Sequence, residues 1–463
     1  MTTATDLNWS EDSFFEEPEP ASFDSGTTSE GHLWHSASPR WGHSMHTMCS
    51  YHGMFPAKLA HYFIQRYSRP GDLVLDPFSG RGTVPLQARV EGRRTISNDL
   101  SPLAYVLSRA KANPPSWGAV NTYLDGLQQR YKHASQPEPD ESPDISMLFH
   151  PNTLKQLCYL REALPFGKVD SWTPEMCMIA GALAGIMHGA HRRDGSSQYL
   201  SISMPNTFSM SPAYVEKFIR EKGLTQPDQN VFQRLREKLA RLYLDAIDGP
   251  TGEMHASDAS ALMGSTAIEA RSVDLIVTSP PYLQVVNYGT ANWIRLWLLG
   301  IDGVGREQGE GRIQLDKALD HRHNYDSYKK FLLRTLIGME RVLKHDGVAT
   351  VVIGDVADPG KTAVDLADSI WKAVGEGTGL ELLTLIEDDL PVQKKVSRIW
   401  GETKGQATNR DCVLVLTPKG GKPWQGPDEI DWHEPYKDGG PDEAHDRTKS
   451  ILLSSAETRA FEG

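Results

Sequence analysis

Cysteine is scarce in this 463-residue chain: Cys49, Cys158, Cys177 and Cys412 are the whole set, and no two stand at C-x-x-C spacing. Neither a disulfide framework nor a zinc site is expected, nor any other metal, and the implied compartment is reducing. Long apolar runs are missing as well. The longest, residues 176–187, is too short to span a bilayer, and Asp6, Glu11, Asp12, Glu16 and Glu17 are the opposite of a secretory signal's cationic start. A soluble, cytoplasmic protein with no membrane partner is expected. Positive charge is in deficit, with 48 Lys+Arg against 60 Asp+Glu, which excludes a histone-like coat. The deficit sits at the ends: residues 1–40 hold eight acids and one base, residues 421–463 ten acids and five bases, and the body carries 42 of each sign. Global acidity therefore says nothing against an anionic partner, because local basic stretches remain free to meet phosphates.

Between the polar ends the apolar residues are periodic. Leu59, Tyr62 and Phe63 fall at i, i+3 and i+4, which predicts a helix with one buried face. Leu73-Val74-Leu75 is a short strand stopped by Asp76-Pro77. A glycine-containing turn then leads to a helix over 84–90, and Thr95-Ile96-Ser97-Asn98-Asp99 is a second strand ending in an acid. Strand, turn, helix, strand, acid is the opening half of a doubly wound α/β sheet, whose ligand crevice lies at the carboxyl ends of the strands. Residues 113–249 break the alternation with a mostly helical block. There Thr173-Pro174 caps a helix over 176–189, and Phe232, Leu235, Leu239, Leu242, Tyr243 and Ala246 mark one face of another. The alternation returns with strands at 273–277, 347–353, 380–386 and 412–416 and a helix over 328–343. The expected organisation is a disordered acidic segment 1–40, a discontinuous catalytic α/β domain 41–112 and 250–420, a helical insertion 113–249, and a polar acidic tail 421–463.

The run Asp76-Pro77-Phe78-Ser79-Gly80-Arg81-Gly82-Thr83 sits where a βα turn should be. Glycines at 80 and 82 let the backbone approach a ligand with no Cβ in the way, and Asp76 can receive a cationic group. A tight turn alone would also explain the pair. A dinucleotide fold would place a third glycine where Pro85 stands, so a nucleoside with a charged amino-acid tail fits better than a diphosphate. Asp99 closes the second strand, where a carboxylate can accept both hydroxyls of a ribose. Thr278-Ser279-Pro280-Pro281-Tyr282 directly follows a strand. Its two prolines fix φ and remove N–H donors, so the loop is rigid and presents carbonyls outward. Acceptors are what the exocyclic amine of a base needs: with both its protons bonded, to Ser279 Oγ and the Pro280 carbonyl, the nitrogen is pulled toward sp³ and its lone pair localised. Tyr282 offers a face on which a base turned out of its helix can stack.

With these motifs in this order the chain resembles the S-adenosylmethionine-dependent DNA methyltransferases of the amino group, in the N4-cytosine branch, over about residues 45–112 and 250–418. The matching stretches are His52 with Phe55-Pro56-Ala57-Lys58, the residues 76–83 with Phe78, Gly80 and Gly82, Asn98-Asp99, Ser257-Asp258-Ala259, and Ser279-Pro280-Pro281-Tyr282. The resemblance implies a Rossmann-like class I methyltransferase sheet and S-adenosylmethionine as cofactor. It implies His52, Phe55 and Pro56 flanking the cofactor, and Asp76, Pro77, Phe78, Ser79, Gly80, Gly82 and Thr83 around its methionine part. Asn98 and Asp99 would meet the ribose, Asp258 and Ala259 the adenine, and Ser279, Pro280, Pro281 and Tyr282 the target base. Serine at the first position of that tetrapeptide is usual for cytosine-N4 enzymes and aspartate for adenine-N6 enzymes. Carbon-5 methylation is a different chemistry that needs a cysteine adding to the ring, typically from Pro-Cys, and no cysteine here follows a proline.

The implied activity is methyl transfer to N4 of a flipped cytosine in DNA, duplex DNA and a cognate restriction endonuclease being the expected partners. The role would be restriction-modification or epigenetic marking. N6-adenine methylation, RNA base methylation and a catalytically silent DNA-binding relative are the alternatives. Phosphate contacts are expected at Arg192 and Arg193, in a loop of the helical block that is the candidate target-recognition region. A second basic stretch holds Lys394, Lys395 and Arg398. His43, His46 and His52 are scattered and not clustered as metal ligands, and Trp293, Leu296 and Trp297 stand at core spacing. Asn287 and Tyr288 follow the tetrapeptide closely enough to line a base pocket.

Overall fold

The computed structural model describes residues 34, 41–51, 53–135, 138–164, 171–205, 209–281, 288–301, 325–354, 366–389, 410–434 and 436–437. Seven strands form one sheet: β1 (Leu73–Asp76), β2 (Arg94–Asn98), β3 (Glu253–His255), β4 (Val273–Thr278), β5 (Leu343–Gly354), β6 (Leu380–Asp389) and β7 (Arg410–Pro418). Their order is β3-β2-β1-β4-β5-β7-β6. The first five are mutually parallel, while β7 runs antiparallel to both β5 and β6. This is the doubly wound, Rossmann-like class I methyltransferase sheet that the alternation and the resemblance imply. Strand order reverses between β1 and β4, and in such sheets the crevice at the carboxyl ends of those strands is the place for a ligand.

Both faces of the central strands are covered, as continuous aliphatic strands require. On one face α1 (Ala57–Tyr67) packs Leu59, Phe63 and Ile64 against Val74, Val277, Val348 and Val413. α2 (Thr83–Val90) and α3 (Pro102–Ala112) follow β1 and β2; Ser101 caps α3 by accepting the Ala104 N–H, with Pro102 in the first turn. Between α3 and β3 run α4 (Trp117–His133), α5 (Pro143–Ser146), α6 (Pro151–Ala163), α7 (Pro174–Ala184), α8 (Pro212–Lys222) and α9 (Val231–Leu242). Their apolar faces share one core with Leu103, Val106 and Leu107 of α3, with Met45 and Met48 ahead of α1, and with Trp293 and Trp297. After β3 come α10 (Ala259–Gly264), α11 (Tyr288–Ala291) and α12 (Trp293–Leu298). α13 (Tyr325–Val342) and α14 (Leu366–Val374) complete the second face, with Leu332, Leu336, Met339 and Ile370 against Ile276, Val351 and Leu414.

Two helices stop sooner than their periodicity suggests. α7 ends at Ala184 because the backbone beyond it pairs with another segment, Leu200 N–H donating to the Ile186 carbonyl and Met204 N–H to that of Gly189. α9 ends at Leu242; beyond it Asp245 accepts the Ser44 N–H and the Ala246 carbonyl meets His43 Nε2. Trp293, Leu296 and Trp297 are buried, the two indoles donating to the Met210 carbonyl and to Glu141. Among the described residues no helix is long and apolar enough to cross a membrane.

Candidate active site

β1 delivers Asp76 to the reversal point. Its carboxylate is buried, and one oxygen accepts both the Thr278 hydroxyl at 2.7 Å and the Phe78 N–H at 3.2 Å. Burial, with the Asp99 charge nearby, pushes the Asp76 carboxyl up to about 7. Asp99 follows β2 and is half-buried; it accepts the N–H groups of Gly80 at 2.8 Å and Ser101 at 2.9 Å, and burial still raises it to about 6. The first two strands thus end in two carboxylates that a cation would stabilise.

The two glycines of the turn have different reasons to be glycine. Gly80 has φ +50°, and a Cβ there would meet only the Tyr51 ring, at 3.9 Å, so this backbone is open toward the cavity. Gly82 has φ +76°, and a Cβ there would lie 2.7 Å from Ser108 Cα. The expectation that both face a ligand is therefore corrected: Gly82 lets α2 start in a left-handed cap pressed against α3. Ser108 Oγ also donates to the Gly80 carbonyl at 3.1 Å, so α3 grips the turn.

Asn98 is buried and fully used by the protein. It donates to the carbonyls of Pro77 at 3.1 Å and Ser257 at 2.9 Å, and its oxygen accepts the Ser257 N–H at 3.1 Å. The loops after β1 and β3 are stapled by it, which makes Asn98 a positioning residue before it is a ligand contact. Asp258 caps α10 by accepting the Ala261 N–H with one oxygen; it is exposed beside buried Ala259. From the other side of the reversal, β4 delivers Thr278 and Ser279. Ser279 Oγ makes a long 3.4 Å bond to the Val352 carbonyl, and the Pro281 carbonyl accepts the Tyr328 hydroxyl at 3.0 Å. Phe331, one turn along α13, meets Phe78 edge-on with ring centroids 5.8 Å apart, so α13 braces both motifs.

One cavity collects Phe55, Asp76, Pro77, Phe78, Ser79, Gly80, Thr83, Asn98, Asp99, Asp258, Ala259, Ser279 and Pro281. It also takes in Tyr288, whose ring stacks with that of Tyr51 at 6.1 Å, and residues that the motifs did not single out: Tyr51, Met54, Arg81, Ser101 and Phe331. Not every expected residue is on its wall. Pro56 is exposed as the N-cap of α1, Gly82 is held behind the turn, and Pro280 is buried. Arg192 and Arg193 are exposed in a loop of the helical block. His52, Tyr282, Asn287, Lys394, Lys395 and Arg398 lie outside the described residues.

Comparison with known proteins bears on this cavity. The DNA methylase family model for N6 and N4 methyltransferases matches residues 19–108, which include the 76–83 turn and Asn98-Asp99. The type II methyltransferase M.BsoBI of Geobacillus stearothermophilus is 22% identical over 284 residues, 56% of this chain and 53% of its own length. M.MjaII of Methanocaldococcus jannaschii is 34% identical over 67 residues, 14% of this chain and 13% of its own. M.PvuII of Proteus hauseri is 45% identical over 56 residues, 12% of this chain and 16% of its own. The chain thus spans about half, or far less, of the length of these relatives. Over those stretches it is similar to type II DNA methyltransferases, and residues 19–108 match the DNA methylase model.

Proposed function

We propose that the protein is a DNA methyltransferase that uses S-adenosylmethionine and acts on the exocyclic N4 amino group of cytosine. The observation that carries this reading is the convergence, in one cavity at the strand reversal, of residues 76–81 and Thr83 of the turn, Asp99, Asp258, Ser279 and Pro281. The residues present suit the cofactor. Asp76 and Asp99 are carboxylates raised by burial, and a sulfonium with its ammonium supplies a cation that would favour their charged forms. Asp99 and Asp258 keep acceptor capacity for ribose hydroxyls and an adenine amine. When bound, S-adenosylmethionine supplies a methyl group on a positively charged sulfur.

The chain's own contribution is positioning and polarisation. Ser279 Oγ is only weakly engaged, so it can accept a hydrogen bond from the target amine, whose surplus proton leaves to water after transfer, while Tyr328 and the two prolines hold the loop rigid. No side-chain nucleophile is required, since the amine itself attacks in line, and acceptors placed for the charge developing on nitrogen do most of the work. Serine in place of aspartate at the head of the loop favours cytosine as the target.

The test is to incubate the purified protein with labelled S-adenosylmethionine and mixed-sequence DNA, digest to nucleosides, and identify the product by mass spectrometry. N4-methylcytosine is expected. N6-methyladenine would keep the cofactor reading and overturn the target; label in RNA alone would overturn DNA as the substrate.

A further inference from the structure

Arg81 stands between the two glycines of the turn, on the cavity wall. Its Nε donates to Thr83 Oγ1 and one terminal nitrogen to the His46 carbonyl, both at 3.2 Å, and the same nitrogen touches Met54 Sδ at 3.1 Å. All three partners are neutral. Among the described residues no carboxylate forms an ion pair with it, and desolvation lowers its pKa to about 10. Behind it Lys111 is fully buried and donates from Nζ to the Arg81 carbonyl at 2.5 Å, likewise without a carboxylate partner among the described residues. Among the described residues the cavity therefore holds desolvated charges of both signs that do not neutralise one another: Asp76 and Asp99 without a paired cation, Arg81 without a paired anion. Charges buried apart in this way are costly until a ligand completes them, and a ligand carrying both signs does so at once.

We propose that Arg81 receives the carboxylate of the cofactor's amino-acid tail, with Lys111 fixing the peptide that carries it; this rests on reading the cavity as an S-adenosylmethionine site. A guanidinium would equally suit a phosphate oxygen of DNA. The tail is preferred because Arg81 shares its wall with Asp76, Gly80 and Thr83, the residues that surround the cofactor's methionine part in that reading.

Calorimetry on the full chain with two ligands separates the possibilities: S-adenosylmethionine, and its decarboxylated analogue, which keeps the sulfonium and the amine. The R81M variant should lose roughly 10- to 100-fold in affinity for S-adenosylmethionine, the size of a charge-assisted hydrogen bond, and nothing for the analogue. R81K, which keeps the charge, should lose less than R81M and guards against a folding defect. Equal losses for both ligands would give Arg81 a purely structural part in the turn and overturn the proposal. Unchanged S-adenosylmethionine affinity with a shallower salt dependence of DNA binding would assign it to a phosphate and overturn it too. If the unaltered chain binds neither ligand, the cofactor reading itself falls, an outcome distinct from any seen only in the variants.

Discussion

Asp76 ends β1 with its carboxylate buried, two hydrogen bonds on one oxygen and, among the described residues, no cation paired with it. Its carboxyl titrates near 3.8 when unperturbed and at about 7 in the fold, so between those values the folded chain holds a proton that the unfolded chain has released. The contribution to stability is therefore full below about 4 and is lost as pH rises through 7. Asp76→Asn keeps an acceptor for the Thr278 hydroxyl and the Phe78 N–H while removing the charge. It should stabilise the protein by about 1–2 kcal/mol at pH 8 in denaturant unfolding, with the gain shrinking toward pH 5. The same change should weaken S-adenosylmethionine binding. Affinity of the natural chain should rise between pH 6 and 8, as Asp76 and then the cation it awaits become an ion pair; Asp99, at about 6, adds to the lower end of that rise. A variant that is less stable at pH 8, or that binds as tightly as the natural chain, would contradict this account of a carboxylate kept costly for its ligand.

Elements, not single residues, explain the turn. α3 presents Ser108 and Lys111 to the carbonyls of Gly80 and Arg81, and the close approach at Gly82 locks α2 against it. Gly82→Ala combines a left-handed φ with a backbone clash at 2.7 Å, and should cost roughly 2–4 kcal/mol in thermal or denaturant unfolding. Gly80→Ala meets no such contact; it should cost only about 1 kcal/mol and act mainly on cofactor affinity. Similar stability losses at the two positions would show that α3 does not set the turn. This division was illegible in the sequence, where the two glycines look alike, because the atoms that distinguish them come from Ser108, 26 residues beyond Gly82. The central strands were legible: β1 and β4 are aliphatic runs because both faces are buried, and an acid closes β2 in either view. β3 was not, since Glu253–His255 is three residues with one apolar side chain, and only pairing with β2 makes it a strand. Nor does the sequence announce that β7 slips antiparallel between β5 and β6, a register set by tertiary pairing. Of the site, the motif residues were legible by their spacing, whereas Tyr51, Ser101 and Phe331 have no motif and reach the cavity only through packing.

At the scale of the whole molecule the proposed function asks where a chain with a net charge of −12 would hold DNA. Acid excess is confined to residues 1–40 and 421–463, so the field over the body depends on where its 42 bases are left unpaired. Many are committed: Arg236 to Asp125, Arg234 to Glu237, Arg161 to Glu141. The 191–198 loop differs. It is tied to α9 by Arg241, which donates to Gln198 Oε1 at 3.1 Å, and it holds Arg192 and Arg193 exposed on that support. Asp194, beside them, accepts the Ser196 hydroxyl and N–H on one oxygen and is held below the usual carboxylate range by those bonds and by the Arg192 charge, while both arginine side chains stay exposed on an anchored loop. If they meet phosphates, each contact releases counterions, and replacing both by Gln should lower the slope of log affinity against log salt by about 1.8 for duplex DNA. Sequence preference should survive, because phosphate contacts position a duplex without reading it. Cofactor affinity should be untouched, neither arginine being on the cavity wall. A salt slope equal to that of the natural chain would move the DNA-bearing face off this loop. A lost sequence preference with an unchanged slope would instead make the loop a reader of base edges, and the helical block would then be the recognition element in the direct sense.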